Sequence, residues 1–151
     1  MTARLKYYLL LLPILVLSCV QDDQVRFKNR MEGSWTIDET ITHIYPDGQS
    51  EEVSSGKGIG TLLLEPPEFD EGVFLDYTLT LNNSSFTWSK KPFKTDEGRK
   101  RVFFYYFYCE ELFNCDMVAT IEEDEKSTQK WSFYRPEAGY HRKVTWELTR
   151  D

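Results

Sequence analysis

Few residues in this chain have chemistry to offer: three cysteines, two histidines, and a handful of charged groups that strand parity turns inward. Cys109 and Cys115 enclose Glu110-Glu111-Leu112-Phe113-Asn114, a length that suits a loop between two strands, and in an oxidising compartment their thiols are expected to pair. Closing so small a loop stabilises by roughly 2 kcal/mol in the chain-entropy model. His43 and His141 cannot share a metal. Alternation sets His43 on the odd, inward face of the first strand with Trp35, Ile37 and Ile41, whereas the apolar face of the last strand is even (Tyr140, Val144, Trp146, Leu148), so His141 points out. With one cysteine pair and no second one, no metal is expected.

The same parity places Glu39 inside from the first strand, and Arg142 and Arg150 inside from the last. Interior charges need partners. Glu39 beside Arg142 is expected either as a structural ion pair or as the polar floor of a ligand cavity, where a few placed polar groups orient a molecule among apolar walls. Catalytic patterns are thin. There is no Gly-X-Ser-X-Gly elbow, no Walker-type loop and no HEXXH, so an enzyme using Glu39 is the weakest of three readings, and no cofactor is expected. Gly56-Lys57-Gly58-Ile59-Gly60 has no helix after it to cradle a phosphate, and reads as strand flexibility.

Six successive aromatics, Phe103 to Tyr108, put three rings on each face of a strand. With Phe103 inward, Phe104, Tyr106 and Tyr108 form an outer aromatic face, to be covered by the tether, matched by aromatics of a neighbouring strand, or offered to a partner, since Tyr and Phe suit glycan stacking and a protein interface equally well.

The elements that must position these residues are nearly all strands. Trp35 to Tyr45 alternates cleanly, Pro46-Asp47-Gly48 turns, and a second strand runs from Glu51 to Leu64, loosened to a bulge or bend by its glycines and stopped at Pro66-Pro67. Strands follow at Val73 to Leu81, Ser85 to Ser89 (with Phe86 and Trp88 inward), Lys100 to Cys109, Asp116 to Ile121, Gln129 to Arg135 and Tyr140 to Thr149. Polar loops are expected at 90–99 and 122–126. The expectation is an all-β fold of about eight antiparallel strands. Rolling such a meander into an up-and-down barrel removes both edges, and is favoured over a two-sheet sandwich.

At the N-terminus, Arg4 and Lys6 precede a short apolar run, Tyr7 to Leu17, then Ser18 and Cys19. Val16-Leu17-Ser18-Cys19 resembles the lipobox of bacterial lipoproteins, which implies cleavage before Cys19 and acylation of its thiol. The resulting division is 1–18 signal peptide, 19–32 lipidated cysteine and tether, and 33–151 a single domain. Asp22-Asp23 resembles the surface-export signal of Bacteroidetes lipoproteins, so the expected place is the outer membrane, on the cell surface or the periplasmic face. A net charge of −7 in the full chain, more negative once Arg4 and Lys6 are removed, argues against nucleic acid.

Gly33-Ser34-Trp35 and the closing Trp146-Glu147-Leu148-Thr149-Arg150 resemble the lipocalin-like lipoproteins of Bacteroidetes. The resemblance implies a lipocalin-like barrel with Trp35 at its closed end beneath Arg150 or Arg142. The inferred inward faces mix large aromatics with ionisable groups, which suits a small apolar or amphipathic ligand. Trp35, Ile41, Tyr77, Trp88 and Trp146 are then candidate walls, with Glu39 and Arg142 the polar floor. The competing reading is an interaction subunit of an envelope protein complex, docking through Phe104, Tyr106 and Tyr108.

Overall fold

The computed structural model describes residues 25–68, 74–85, 87–109 and 112–151, and the side chains of 106–115 lie outside the description. Cys19, Phe86, Tyr106, Tyr108 and the thiols of Cys109 and Cys115 therefore fall outside it. Eight strands run in sequence order around a closed barrel: β1 Gly33–Ile44, β2 Ser50–Glu65, β3 Leu75–Leu81, β4 Thr87–Thr95, β5 Arg101–Cys109, β6 Leu112–Asp124, β7 Thr128–Glu137 and β8 Tyr140–Arg150. Each pairs antiparallel with the next. β1 and β8 close the ring in an unbroken register from Trp35↔Arg150 to Ile44↔His141. This is the all-β up-and-down barrel that the hairpin pattern implies.

The interior of one end is filled. Trp35, Ile37, Leu62, Leu64, Leu75, Tyr77, Leu79, Phe93, Phe104, Trp131 and Leu148 are almost fully buried, and a small barrel has room for little else once such rings interdigitate. Phe104 anchors the cluster, edge-on to Tyr77 (5.0 Å between ring centroids) and Phe93 (5.1 Å), and 5.9 Å from Trp131. Its position corrects the expected outer aromatic face. The ladder pairs Phe104 with Phe93, and Val102 on the same parity is also buried, so Val102 and Phe104 face inward while Phe103 sits half-buried outside.

Two other elements differ from expectation. Residues 90–95 continue β4 where a loop is expected. Between Leu79↔Trp88 and Tyr77↔Lys91 one extra residue is inserted, Lys90 takes φ 47°, and its N–H donates to Thr78 Oγ1 (3.2 Å). This bulge switches parity, so Trp88 packs against the core before it and Phe93 enters the core after it. The second correction lies before β1. Residues 25–31, expected as tether, form a helix, α1, that buries Phe27 and Met31 against the barrel. Residues four apart share a helix face, which gives this short amphipathic turn its inward side.

The glycine-rich part of β2 does bulge. Ile37 pairs with Gly60 and Glu39 with Gly56, so three residues of β2 stand against Asp38 alone, and the Gly58 N–H (φ 55°) donates to Asp38 Oδ1 at 2.7 Å. A Cβ on Gly60 would collide with the Thr80 carbonyl oxygen. The expected turn at 122–126 is also shorter. β6 runs on to Asp124, because its carboxylates are neutralised: Glu122 by Lys143 Nζ (2.7 Å) and Asp124 by Arg30 (2.7 Å).

Candidate functional site

The two ends of the barrel are built differently, and the contrast locates the site. At the closed end α1 is clasped to the strands. Arg150 lies over the Trp35 ring, 4.7 Å from its centroid, and donates from one nitrogen to the carbonyls of Arg30, Glu32 (2.8 Å) and Asn29 (3.4 Å). Trp35 Nε1 donates to the Met31 carbonyl at 2.9 Å. Gln129, almost fully buried, accepts from Trp131 Nε1 (3.3 Å) and donates to Asp124 and to the Glu125 carbonyl. Of the two arginines expected over Trp35, Arg150 takes the place.

At the other end the ladders stop early. β4 and β5 pair only from Thr95↔Val102 to Phe93↔Phe104, and β6 and β7 only from Asp124↔Gln129 to Thr120↔Ser132, among the described residues. The β5–β6 hairpin thus leaves both neighbours. Tyr77 takes up part of the gap, its hydroxyl donating to the Tyr105 carbonyl at 2.9 Å. Burial, with the nearby charge of Asp116 adding to it, raises that phenol well above its ordinary range, so it stays a donor.

Between the parted β6 and β7 opens a half-enclosed cleft of about 410 Å³. Its inner surface is Trp146, Phe133, Val144, Leu81 and Met117, and its polar groups are Glu39, Arg142, Arg135 and Asp116. Glu39 Oε2 accepts from Trp146 Nε1 at 3.0 Å. Arg142 makes no hydrogen bond or ion pair among the described residues, and its Nε is enclosed without an acceptor. Arg135 is exposed and bonds Glu137 at 3.2 Å.

Three of the sequence-derived candidates, Glu39, Arg142 and Trp146, therefore meet in one cleft. The expected Glu39–Arg142 ion pair does not form. Glu39 stands opposite Trp146 and Arg142 opposite His43, four residues apart along one strand face, so sharing a face does not bring the charges together. The other candidate walls lie elsewhere. Trp35 and Tyr77 are packed in the filled end, and Ile41 and Trp88 are not in the lining of the cleft. Phe133 and Arg135 are lining residues the sequence reading missed. Their signal was present, since both share the parity of the core residue Trp131 on β7. His43 rests against Tyr140 (4.0 Å between rings), and no group of three or more His, Cys, Asp or Glu converges among the described residues.

By class, the chain is a closed eight-stranded antiparallel barrel with a buried aromatic core. A redesigned β-barrel of known structure is similar to it, with 18% sequence identity, a TM-score of 0.43, and 83% of this chain and 96% of that one covered. No family model and no curated protein matches the sequence.

Proposed function

We propose that this protein is an exported, lipid-anchored and non-catalytic barrel that takes a small apolar or amphipathic molecule into the cleft at its open end. One observation carries the reading: a cleft of about 410 Å³ that joins an apolar surface to Glu39 and Arg142, the mixture of walls and sparse polar groups that ligand sites use. Holding the Trp146 indole gives Glu39 a structural task, which supports binding over catalysis. The anchor rests on the sequence around Cys19, and acyl chains there would hold the domain at the outer membrane, since each buried methylene contributes about 0.8 kcal/mol.

The binding reading is tested by tryptophan fluorescence against a panel of lipids and aromatic probes. Trp146 lines the cleft while Trp35 and Trp131 are fully buried, so a saturable change should appear and should vanish in Trp146→Phe. A panel with no saturable response would sink it. The anchor is tested separately, by fatty-acid labelling that Cys19→Ala should abolish. Unreduced mass spectrometry reads the proposed Cys109–Cys115 bridge, for which the ladder sets Cys109 opposite Leu112 and Cys115 opposite Phe107.

A second reading, an envelope-complex subunit, draws support from the β5–β6 hairpin, which carries the aromatic run away from β4 beyond Phe104. With Phe104 in the core, that surface would rest on Tyr106 and Tyr108.

A further inference from the structure

We infer that the cleft takes an elongated molecule with an anionic group at one end and a hydrogen-bond donor, hydroxyl or ammonium, at the other, held by Arg142 and Glu39 across an apolar wall. This deepens the binding reading above and rests on it. The ladder gives the spacing. Arg142 pairs with His43 on β1 and with Arg135 on β7, so three nitrogen-bearing side chains share one rung of the inner face near the mouth. Glu39 pairs with Trp146, four residues further in, and at ~3.3 Å per residue the two rungs are about 13 Å apart along the strands. Between them Val144 and Phe133 face each other across β8 and β7.

Each pole has capacity left. Arg142 has an enclosed Nε with no acceptor, whereas its neighbour Arg135 already bonds Glu137. A buried donor in that state is costly, and an anionic ligand oxygen relieves the cost. In a chain of net charge −7 the preference for an anion comes from this rung and not from the overall field. At the inner pole, Trp146 uses one oxygen of Glu39, and among the described residues Glu39 has no other partner. A carboxylate accepts several hydrogen bonds. A plain alkyl tail laid against it would remove its water and return nothing, so the inner end of the ligand must donate. Asp116, at the outer edge of the cleft on β6, disfavours a second anionic group there.

The test uses three probes of equal carbon number with the full-length protein: dodecanol, dodecanoate and ω-aminododecanoate, titrated by tryptophan fluorescence. ω-Aminododecanoate, which engages both poles, should bind about tenfold tighter than dodecanoate or dodecanol, each of which engages one. Arg142→Gln should weaken dodecanoate about tenfold and leave dodecanol within about twofold of its wild-type affinity. Glu39→Gln, which keeps an acceptor for the Trp146 indole, should remove only the advantage of the ammonium. The wild-type ranking tests the inference even where a variant fails to fold. If ω-aminododecanoate binds no tighter than dodecanoate, or its advantage survives Glu39→Gln, the two-ended ligand is wrong while the binding reading stands. If none of the three binds and the wider panel is also silent, both fall.

Discussion

Arg150 and Arg142 stand on the same face of the same strand, and the two ends of the barrel treat them in opposite ways. Neither Nε has an acceptor. Arg150 nonetheless stacks on Trp35 and serves three carbonyls at the end of α1, where the ring's negative face and the helix's unpaired carbonyls both favour a cation. Arg142 has no such reception. The closed end closes its polar accounts around Gln129, Asp124 and Arg30, and the open end keeps a guanidinium and a carboxylate on an apolar wall. Stability concentrates where most polar groups are answered. A cleft with unanswered groups is a place where something else is expected to answer them.

The largest effect expected is at the closed end. Trp35→Ala should cost about 3–5 kcal/mol, because it removes a fully buried ring together with the platform under Arg150. Urea unfolding measures it, and a loss below about 1 kcal/mol would show that this end does not hold the barrel. The contrast between the arginines is sharper still. Arg150→Met should cost about 1.5–3 kcal/mol, because three carbonyls lose a charged donor, whereas Arg142→Met should be neutral or mildly stabilising, because it removes a donor that lacks an acceptor. Equal losses at the two positions would erase the distinction.

The smallest effect is in pH. Burial by itself would raise the Asp96 carboxyl, but the backbone N–H groups of Arg101 and Lys100 and the Arg101 guanidinium outweigh it and hold it below its usual range. Hydrogen bonds from the Ser34 and Thr36 hydroxyls do the same for Asp151. Folded values below the unfolded ones mean stability that is present above roughly pH 4 and lost as pH falls through the folded values. Melting temperatures should therefore stay level for these groups from neutral pH downward and drop only below about 4. Asp96→Asn should shrink that drop, and a drop of unchanged size would remove Asp96 as a cause.

Much of the barrel was legible because its first and last strands alternate cleanly. The inward placement of Trp35, Glu39, Trp146 and Arg142 follows from parity alone, whereas an arginine over Trp35 was expected from the family resemblance, and the register Trp35↔Arg150 decides which one. Parity failed where the pattern carried no contrast. In β5 rings stand on both faces, so nothing local distinguishes Phe103 from Phe104, and the ladder to Phe93 decides. In β4 the bulge at Lys90 resets the alternation, and a strand broken in phase reads as a loop. The helix at 25–31 did have a signal, Phe27 and Met31 four residues apart, which the adjoining polar tether obscured. The missing Glu39–Arg142 contact reflects a different limit. A face can be read from one strand, but the distance between two rungs needs the register of two.

The seam between β1 and β8 also bears on how the barrel assembles. Every other ladder joins strands that are consecutive in the chain, while the seam's outermost contact, Ser34 to Asp151, spans 117 residues. Loop-closure entropy makes such a pairing unfavourable until the intervening hairpins have shortened the effective gap, so local zippering comes first and ring closure last. The clasp of Arg150, Trp35 and α1 sits on that final joint. Interactions formed after the transition state slow opening without hastening formation. Weakening the clasp should therefore steepen the loss of the native state over time, seen in the unfolding arm of a chevron, while refolding keeps its pace.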